Sequence, residues 1–368
     1  MENTLGHLFQ TVPDHRVTGR CTYALTDLLT IALLTYLCGG EDYVDMSEFA
    51  HVRARDFGLL SYTDLSPSPD TFERLMSAVD PGEIERCLVD YGRQFLETLA
   101  EKQVAIDGKK LRGAAPKASG TQGDYLMNAF VSENHISLGQ LRLQGKENEI
   151  SAIPRFLEKL DLEGAVVSMD AIGTQVGIAQ GIREKKAHYF LAVKENQDAL
   201  YEQVVAAFRY HRPLDTATQM DAGHGRIETR HCRILDASAI EDGAVRGRWP
   251  GLKTLVEVTS TVDYGDRTAT SVRRYISDEP FPQAAYFNML ARGHWSIENQ
   301  LHWLLDVAFK EDACRARKGF AAQNLSAVRK LALQILKGHP DKRSVRKRRF
   351  RASLSQDYLA EILLTAKI

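Results

Sequence analysis

The stretch KQVAIDGKKL, residues 102–111, has the pattern of a short strand that ends in a carboxylate. Apolar side chains precede Asp107, and a glycine and basic residues follow it. A second stretch of this kind, GAVVSMDA (164–171), ends in Asp170. Side chains at strand ends gather along one edge of a sheet, where binding sites are common. The pair therefore predicts a site at that edge, although each aspartate could instead begin an ordinary turn.

The segments around these two stretches predict a mixed α/β sheet. Strands and helices follow one another in the order β-β-β-α-β-α-β, which favours antiparallel neighbours first and parallel neighbours later. From about 198 to 283 one helix is followed mainly by strands, which predicts an inserted β subdomain. The strand stretches are 125–132, 135–143 and 188–196 in the first part, and 225–235, 252–262 and 268–277 in the insertion.

The rest of the chain is predicted to be helical. Residues 1–96 have capped helix starts and helical spacing of leucines, which predicts a small N-terminal helical domain. Helices return at 284–310 and 319–337, so that a catalytic domain would span 97–340. Residues 341–368 are predicted to form a basic segment with one short helix.

A third carboxylate lies in HWSIENQLHWLLDVAFKED, residues 294–312. If residues 286–308 form one helix, Glu298 and His302 share a face because they are four residues apart. A solvated helix face is the simple alternative. Bulky Trp295, Trp303 and Phe309 favour a mostly buried helix, whose glutamate would then face a cation. The apolar stripe of this helix would consist of Ile297, Leu301, Leu304 and Ala308.

Three carboxylates suit a magnesium centre, because oxygen ligands are those that Mg²⁺ prefers. Two Mg²⁺ ions can activate an attacking oxygen and stabilise a leaving one in phosphodiester cleavage, and Mn²⁺ can substitute. A transition-metal site built from His294, Glu298 and His302 is an alternative, although no HExxH motif is present.

Composition and charge indicate which partners and which cellular compartment are compatible with this chain. Hydrophobic residues at 44% and charged residues at 26% are ordinary for a globular protein. The net charge is −1, yet seven of the ten residues 342–351 are basic, so a polyanionic partner is compatible. Five scattered cysteines and the absence of a signal-peptide pattern predict a reducing, cytoplasmic location. The longest apolar run is too short to span a membrane.

The chain resembles the DDE transposases of bacterial insertion sequences, in the branch that includes H-repeat-associated proteins. The resemblance covers nearly the whole chain and lies in AIDGKKLRGA, KENEISAIPRFLEKLDLEGAVVSMDAIGTQ, YFLAVKENQ, GHGRIETR and HWSIENQLHWLLDVAFKED, with HRVTGRCTYALTDLLTIALLTYLCGGEDYVDMSEF and SPSPDTFERLM in the N-terminal part. It implies a ribonuclease H-like fold with a catalytic, metal-binding triad of Asp107, Asp170 and Glu298.

The resemblance also implies partners and a location. Expected partners are double-stranded DNA with terminal inverted repeats, target DNA and a second protomer, at the bacterial nucleoid. The chain departs from better-studied relatives near Glu298. Where those have a tyrosine, an arginine and a lysine, this sequence has Ala291, His294 and Leu305.

Candidate DNA contacts follow from the same motifs. They are Lys109 and Arg112 after the first aspartate, Lys194, Asn196 and Gln197 after a buried strand, Arg226 in the insertion, and Arg292 and His302 near the glutamate. A solvated loop or strand face is the alternative for several of them. The basic run 342–351 is expected to follow the DNA backbone.

The predicted function is transposition: cleavage at the ends of an element and joining of the 3′-hydroxyls to target DNA. A metal-dependent nuclease of the same fold without strand transfer is one alternative. A domesticated DNA-binding protein without catalysis is another.

Overall fold

In the computed structural model, residues 4–114, 124–143, 147–223, 225–280 and 283–366 are described. Within these ranges nine strands form one sheet, in the order β3-β2-β1-β4-β5-β9-β8-β7-β6. The strands are β1 (Gln103–Lys110), β2 (Tyr125–Val131), β3 (Ile136–Arg142), β4 (Val166–Met169), β5 (His188–Val193), β6 (Asp215–Gly223), β7 (Arg226–Asp236), β8 (Thr254–Asp263) and β9 (Thr268–Ser277).

The sheet is mixed, which confirms the prediction. β1 pairs in parallel with β4, and β4 with β5, whereas the other neighbours are antiparallel. The β1–β4 register places Ile106 opposite Met169. Asp107 and Asp170 directly follow this pair, so both aspartates lie at the same level, although β1 continues beside β2 to Lys110, beyond the strand end predicted at Asp107.

The inserted strands extend this same sheet. β9 pairs with β5, and β8, β7 and β6 continue outward from it. The sequence did not indicate β6, because the alternating apolar pattern of a half-buried strand is missing there. Its residues are exposed or only partly buried, as expected of an edge strand.

Helices cover both faces. The α-helices are α1 (Leu25–Leu37), α2 (Tyr43–Val52), α3 (Pro69–Ala78), α4 (Pro81–Arg93), α5 (Glu149–Lys159), α6 (Val176–Glu184), α7 (Asp198–Tyr210), α8 (Gly243–Gly247), α9 (Ala284–His294), α10 (Trp303–Phe309), α11 (Ala321–Gly338), α12 (Val345–Leu354) and α13 (Gln356–Thr365). Val104 and Ile106 face a core shared with α5, α6 and α7, whereas Ala105 faces a core shared with α10 and α11. This alternation is the period-two pattern of a strand buried on both sides.

The N-terminal helices do not have a core of their own. Residues of α1 to α4 belong to one hydrophobic cluster with α10, α11, α12 and α13. α11 packs against α1, α3 and α4. The predicted boundary near residue 96 therefore separates stretches of sequence that share one core.

The C-terminal segment forms two helices, α12 and α13, where one short helix was predicted. Part of its basic run serves the fold. The buried Arg349 guanidinium donates hydrogen bonds to the carbonyls of Tyr36 (2.7 Å), Gly40 (2.8 Å) and Ala308.

Among the described residues, none of the helices combines the length and apolarity that a bilayer crossing requires.

Candidate metal centre

The parallel register of β1 and β4 brings Asp107, which lies within β1, and Asp170, which directly follows β4, into one cavity. The cavity has a volume of about 520 Å³, and Glu298 lines it together with the two aspartates. The three carboxylates come from a strand, the end of a second strand and a distant helical segment. The structure thus brings the three predicted acids to one cavity, and their role as metal ligands stays a prediction.

Glu298 reaches the cavity from a helical segment that is not a regular helix. α9 ends at His294, a turn follows at Trp295, and Glu298–His302 form a π-helical turn before α10. The amide of Trp303 donates to the carbonyl of Glu298, five residues back. The prediction of one continuous helix over 286–308 is therefore wrong. Single π-turns are frequently found at functional sites.

The interruption also changes which side chains are buried. Leu305 is buried, whereas the sequence predicted burial of Leu304. The wider π-helical turn rotates the side chains that follow it around the helix axis. Trp295 and Trp303 are 40% and 54% exposed, so they do not shield the helix as expected. The Glu298 side chain is 53% exposed, and its free side faces the cavity.

α9 packs closely against β1, and this contact fixes the position of the segment that leads to Glu298. A Cβ on Gly293 would lie 2.0 Å from Gln103 Oε1, so any larger residue there would have to displace the Gln103 amide. Gln103 Nε2 donates to the Leu290 carbonyl and to Ser168 Oγ, both at 2.8 Å. These contacts tie α9 to β1 and β4 beneath the aspartates.

His302 lies behind two of the carboxylates and is 3% exposed. Its Nδ1 is 3.1 Å from Glu298 Oε2 and 3.6 Å from Asp107 Oδ2. The imidazole is buried and its Nδ1 faces the two acids, which argues against the DNA contact predicted for His302.

Burial and hydrogen bonding act in opposite directions on two of the acids. Burial raises the pKa of Asp107 to about 6, opposed by the nearby His302 and by a hydrogen bond from the Gly108 amide. The hydrogen bond with His302 lowers the pKa of Glu298. A carboxyl group with a raised pKa is the group that gains most from a bound cation.

The donor set fits a divalent cation. Ligand atoms of Asp107, Glu298 and His302 all lie within 4.8 Å of one another, and Asp170 lines the cavity beside them. Carboxylate oxygens suit Mg²⁺ or Mn²⁺, and an imidazole would favour softer metals. The alternative transition-metal site of His294, Glu298 and His302 is not formed, because His294 lies apart from the other two residues. His294 Nδ1 is instead 3.1 Å from Ser168 Oγ, and burial lowers its pKa to about 4.

Lys109 does not face the cavity. It is 8% exposed, and its Nζ lies 2.6 Å from both carboxylate oxygens of Asp306. Asp312 and Glu311 lie at 3.5 and 3.9 Å. Its burial among these acids argues against the predicted contact of Lys109 with DNA. Arg112, whose side chain is mostly exposed, is free to contact a ligand on its outer side.

Asn196 and Gln197 hold the loop that follows Asp170. Asn196 Nδ2 donates to the Ala171 carbonyl at 2.7 Å, and Gln197 Nε2 donates to the Thr174 carbonyl at 2.9 Å. Their amides are engaged with protein, which argues against the predicted DNA contacts. Lys194 and Asn196 are both exposed, and Lys194 lines the cavity whereas Asn196 does not.

One cavity residue, Arg273, was not singled out from the sequence, and a second, Trp295, was predicted only to help bury the helix. Arg273 of β9 is exposed and stacks on the Trp295 ring, 4.4 Å from its centre. Both line the cavity. The signal was the basic pair in TATSVRRYIS, a strand otherwise rich in hydroxyl groups. Its use required knowing that β9 lies beside β5. The predicted contacts Arg226 and Arg292 are exposed but do not line this cavity.

Comparison with known proteins identifies the family of the chain. A model described as "Transposase DDE domain" matches residues 99–335, and one described as "DDE_Tnp_1-associated" matches residues 7–92. "Putative transposase YncI" of Escherichia coli O157:H7 is 34% identical over 96% of this chain and 92% of its own length. "H repeat-associated putative transposase YhhI" of Escherichia coli K12 is 31% identical over 96% of this chain and 95% of its own.

Among solved structures, a cryo-EM structure of the piggyBac transposase synaptic complex with hairpin DNA covers 99% of this chain and 77% of its own. It is 11% identical with a TM-score of 0.43, a similarity too low to support a conclusion about this protein. The sequence matches are sufficient by themselves: the chain belongs to the DDE transposase family, close to the H-repeat-associated members.

Proposed function

We propose that this protein is a DNA transposase that cleaves at the ends of its element and joins the resulting 3′-hydroxyls to target DNA. The observation that carries the proposal is the convergence of Asp107, Asp170 and Glu298 at one cavity. These are the three acids that the family resemblance implies as the catalytic triad. They come from elements 63 and 128 residues apart along the chain, so the fold has to bring them together.

Asp107, Asp170 and Glu298 would hold Mg²⁺, as a pair of ions or with Mn²⁺ in its place. When bound, two such ions activate the attacking oxygen and stabilise the leaving oxygen of a phosphodiester. The fold determines where these side chains lie. The β1–β4 register determines the positions of the two aspartates, and the π-helical turn determines the position of Glu298.

Exposed cations around the cavity would position the DNA backbone. Lys194 and Arg273 line the cavity itself, and Arg112 is exposed beside the end of β1. Arg226 and Arg292 are exposed elsewhere and would contact flanking DNA. Contacts of this kind orient the substrate without reading its sequence. His294 cannot replace the arginine of better-studied relatives, since a neutral imidazole carries no charge for a phosphate.

The overall organisation belongs to the same proposal. The sheet would be a ribonuclease H-like catalytic core in a domain spanning 97–340, with the strands at about 198–283 as its insertion. Residues 1–96 would recognise terminal inverted repeats, and the exposed basic side chains of 341–368 would follow the backbone. Two protomers would pair the two element ends in the cytoplasm.

The test is cleavage and strand transfer on labelled DNA carrying the sequences that flank the gene, with Mg²⁺. Wild-type protein is expected to cut at the ends and to join them to a target. The variants Asp107→Asn, Asp170→Asn and Glu298→Gln should bind the same DNA without cutting it. Cutting without joining would indicate a nuclease instead, and specific binding without metal-dependent cutting would indicate a DNA-binding protein.

A further inference from the structure

We propose that His302 is a positioning residue that holds the Asp107 and Glu298 carboxylates from the side opposite the cavity, and that Asn128 fixes its tautomer. The inference rests on the proposed function in one respect, that these carboxylates are metal ligands. Its other part, the tautomer of His302, is a property of the protein without metal or DNA.

The first step is the location of His302. Asp107, Asp170 and Glu298 line the cavity, whereas His302 does not. The ring is buried, with Nδ1 directed at Glu298 Oε2 (3.1 Å) and Asp107 Oδ2 (3.6 Å). An ion entering from the cavity would meet the three carboxylates first. His302 would then act on the ligands and not on the ion.

The second step is the partner of the other ring nitrogen. His302 Nε2 lies 3.3 Å from Nδ2 of Asn128, a side chain that is 1% exposed. Asn128 is directly opposite Asp107 in the β1–β2 register, so both side chains leave the sheet on the same face. The pairing of the two strands thus places the amide next to the imidazole.

The third step is the orientation of the Asn128 amide. Nδ2 also donates to the Leu126 carbonyl at 3.1 Å. The reversed amide would place Oδ1 against that carbonyl oxygen, and two acceptors at this distance repel each other. The observed orientation leaves Oδ1 without a hydrogen-bond partner among the described residues. We take the Leu126 contact as the deciding one.

The tautomer follows from this orientation. Because Asn128 Nδ2 is a donor, Nε2 of His302 must be the acceptor, and the single proton of the neutral ring is on Nδ1. The Nδ1–H group then donates to Glu298 and points towards Asp107. Hydrogen bonds to ligating carboxylates hold them in place and commonly change metal affinity by about 10–100-fold when removed.

The experiment uses the full-length protein and Mn²⁺ alone as the probe. ¹⁵N-histidine NMR of the metal-free protein reports the tautomer, and the His302→Gln variant identifies the signal. The proposal expects the Nδ1–H tautomer in wild type. Asn128→Asp, which replaces the donor by an acceptor, should convert it to Nε2–H. Gln140→Leu removes an equally buried amide opposite Asn128 on β3 and should leave the tautomer unchanged.

Mn²⁺ binding followed by EPR gives the second readout. His302→Ala should weaken binding by about 10–100-fold, whereas His302→Gln, whose amide can still donate to Glu298, should recover most of it. The Asn128→Leu substitution should weaken binding in wild type and add nothing in the His302→Ala background. A coupling between bound Mn²⁺ and a histidine ¹⁴N nucleus, absent in the His302→Gln protein, would make His302 a ligand and overturn the proposal.

An Nε2–H tautomer in wild-type protein would equally overturn it. Failure of the proposed function can be distinguished from failure of this inference. If the proposed function fails, wild-type protein binds no Mn²⁺ at the cavity, but the tautomer of His302 can still be measured.

Discussion

The ammonium group of Lys109 is 2.6 Å from both carboxylate oxygens of Asp306, and this contact joins the strand that carries Asp107 to the helix that follows Glu298. Lys109 is nearly fully buried, and Asp312 and Glu311 complete its surroundings. The basic residue two positions after the first aspartate therefore connects the two halves of the site.

Replacing Lys109 by Met is expected to lower the free energy of unfolding by about 3 kcal/mol, the low end of the cost of breaking a buried ion pair, because Glu311 is buried while Asp306 and Asp312 are only partly buried. Lys110, its exposed neighbour, is the matched control, and Lys110→Met should change stability by less than about 0.5 kcal/mol. Urea denaturation followed by circular dichroism measures both. Equal effects of the two substitutions would mean that the Lys109–Asp306 contact does not stabilise the protein.

The ionisation of Asp107 is expected to oppose folding in the absence of metal. Its pKa is about 6 in the folded protein against an ordinary value of 3.8. The folded state therefore holds the proton more tightly, and the destabilisation is complete above about pH 6 and disappears as pH falls towards 4.

Asp107→Asn should thus stabilise the metal-free protein at pH 7.5 by about 1–2 kcal/mol, less than the full shift because the carboxyl is partly solvated. The gain should vanish near pH 4. Thermal unfolding at several pH values measures it, with Asp161→Asn as a surface control. A gain that is the same at every pH would contradict the titration of Asp107 as its cause.

Asn196 is expected to act through the loop after Asp170. Asn196→Ala removes the hydrogen bond to the Ala171 carbonyl, at a cost of about 1 kcal/mol. Hydrogen exchange of the Thr174 amide, which bonds to that carbonyl, should become faster. The control Gln180→Ala removes an exposed amide on α6 and should not alter it. Loss of DNA affinity with unchanged exchange would restore Asn196 as a DNA contact.

The basic run near the C-terminus should separate into two groups. Arg349→Met should destabilise the protein by several kcal/mol, since two buried carbonyls and one partly buried carbonyl lose their donor. Arg346→Ala and Lys347→Ala, both exposed, should leave stability unchanged within about 0.5 kcal/mol.

If Arg346 or Lys347 contacts phosphates, each substitution should also reduce the slope of log affinity against log salt by about 1. An unchanged slope for both would show that the exposed part of the run does not touch DNA.

The mixed character of the sheet and the positions of the two aspartates could be predicted from the sequence, because buried strands have a strong local signature. Asp107 and Asp170 each end an apolar run, and parallel pairing alone aligns them. β6 gave no such signature, since an exposed edge strand buries few side chains. The shared core of α1 to α4 with α10 to α13 depends on packing between distant segments, which periodicity does not encode.

The site was predicted less well beyond its acids. Three side chains predicted to contact DNA are instead bonded to residues elsewhere in the chain. Lys109 pairs with Asp306, Asn196 bonds to the Ala171 carbonyl, and His302 lies between Asp107 and Asn128. Each residue has a polar group that suits DNA, and only the fold shows that this group is already engaged. Arg273 was missed for the converse reason, because its exposure at the cavity follows from the β5–β9 pairing.

The most direct test of the account is Mn²⁺ binding measured by EPR for wild-type protein and the Asp170→Asn variant. Asp170 lines the cavity but is not within the 4.8 Å cluster of Asp107, Glu298 and His302. If the three carboxylates hold the metal, wild type should bind Mn²⁺ and Asp170→Asn should lose most of its affinity. Unchanged binding in the variant would contradict the triad and leave Asp107, Glu298 and His302 as the metal site.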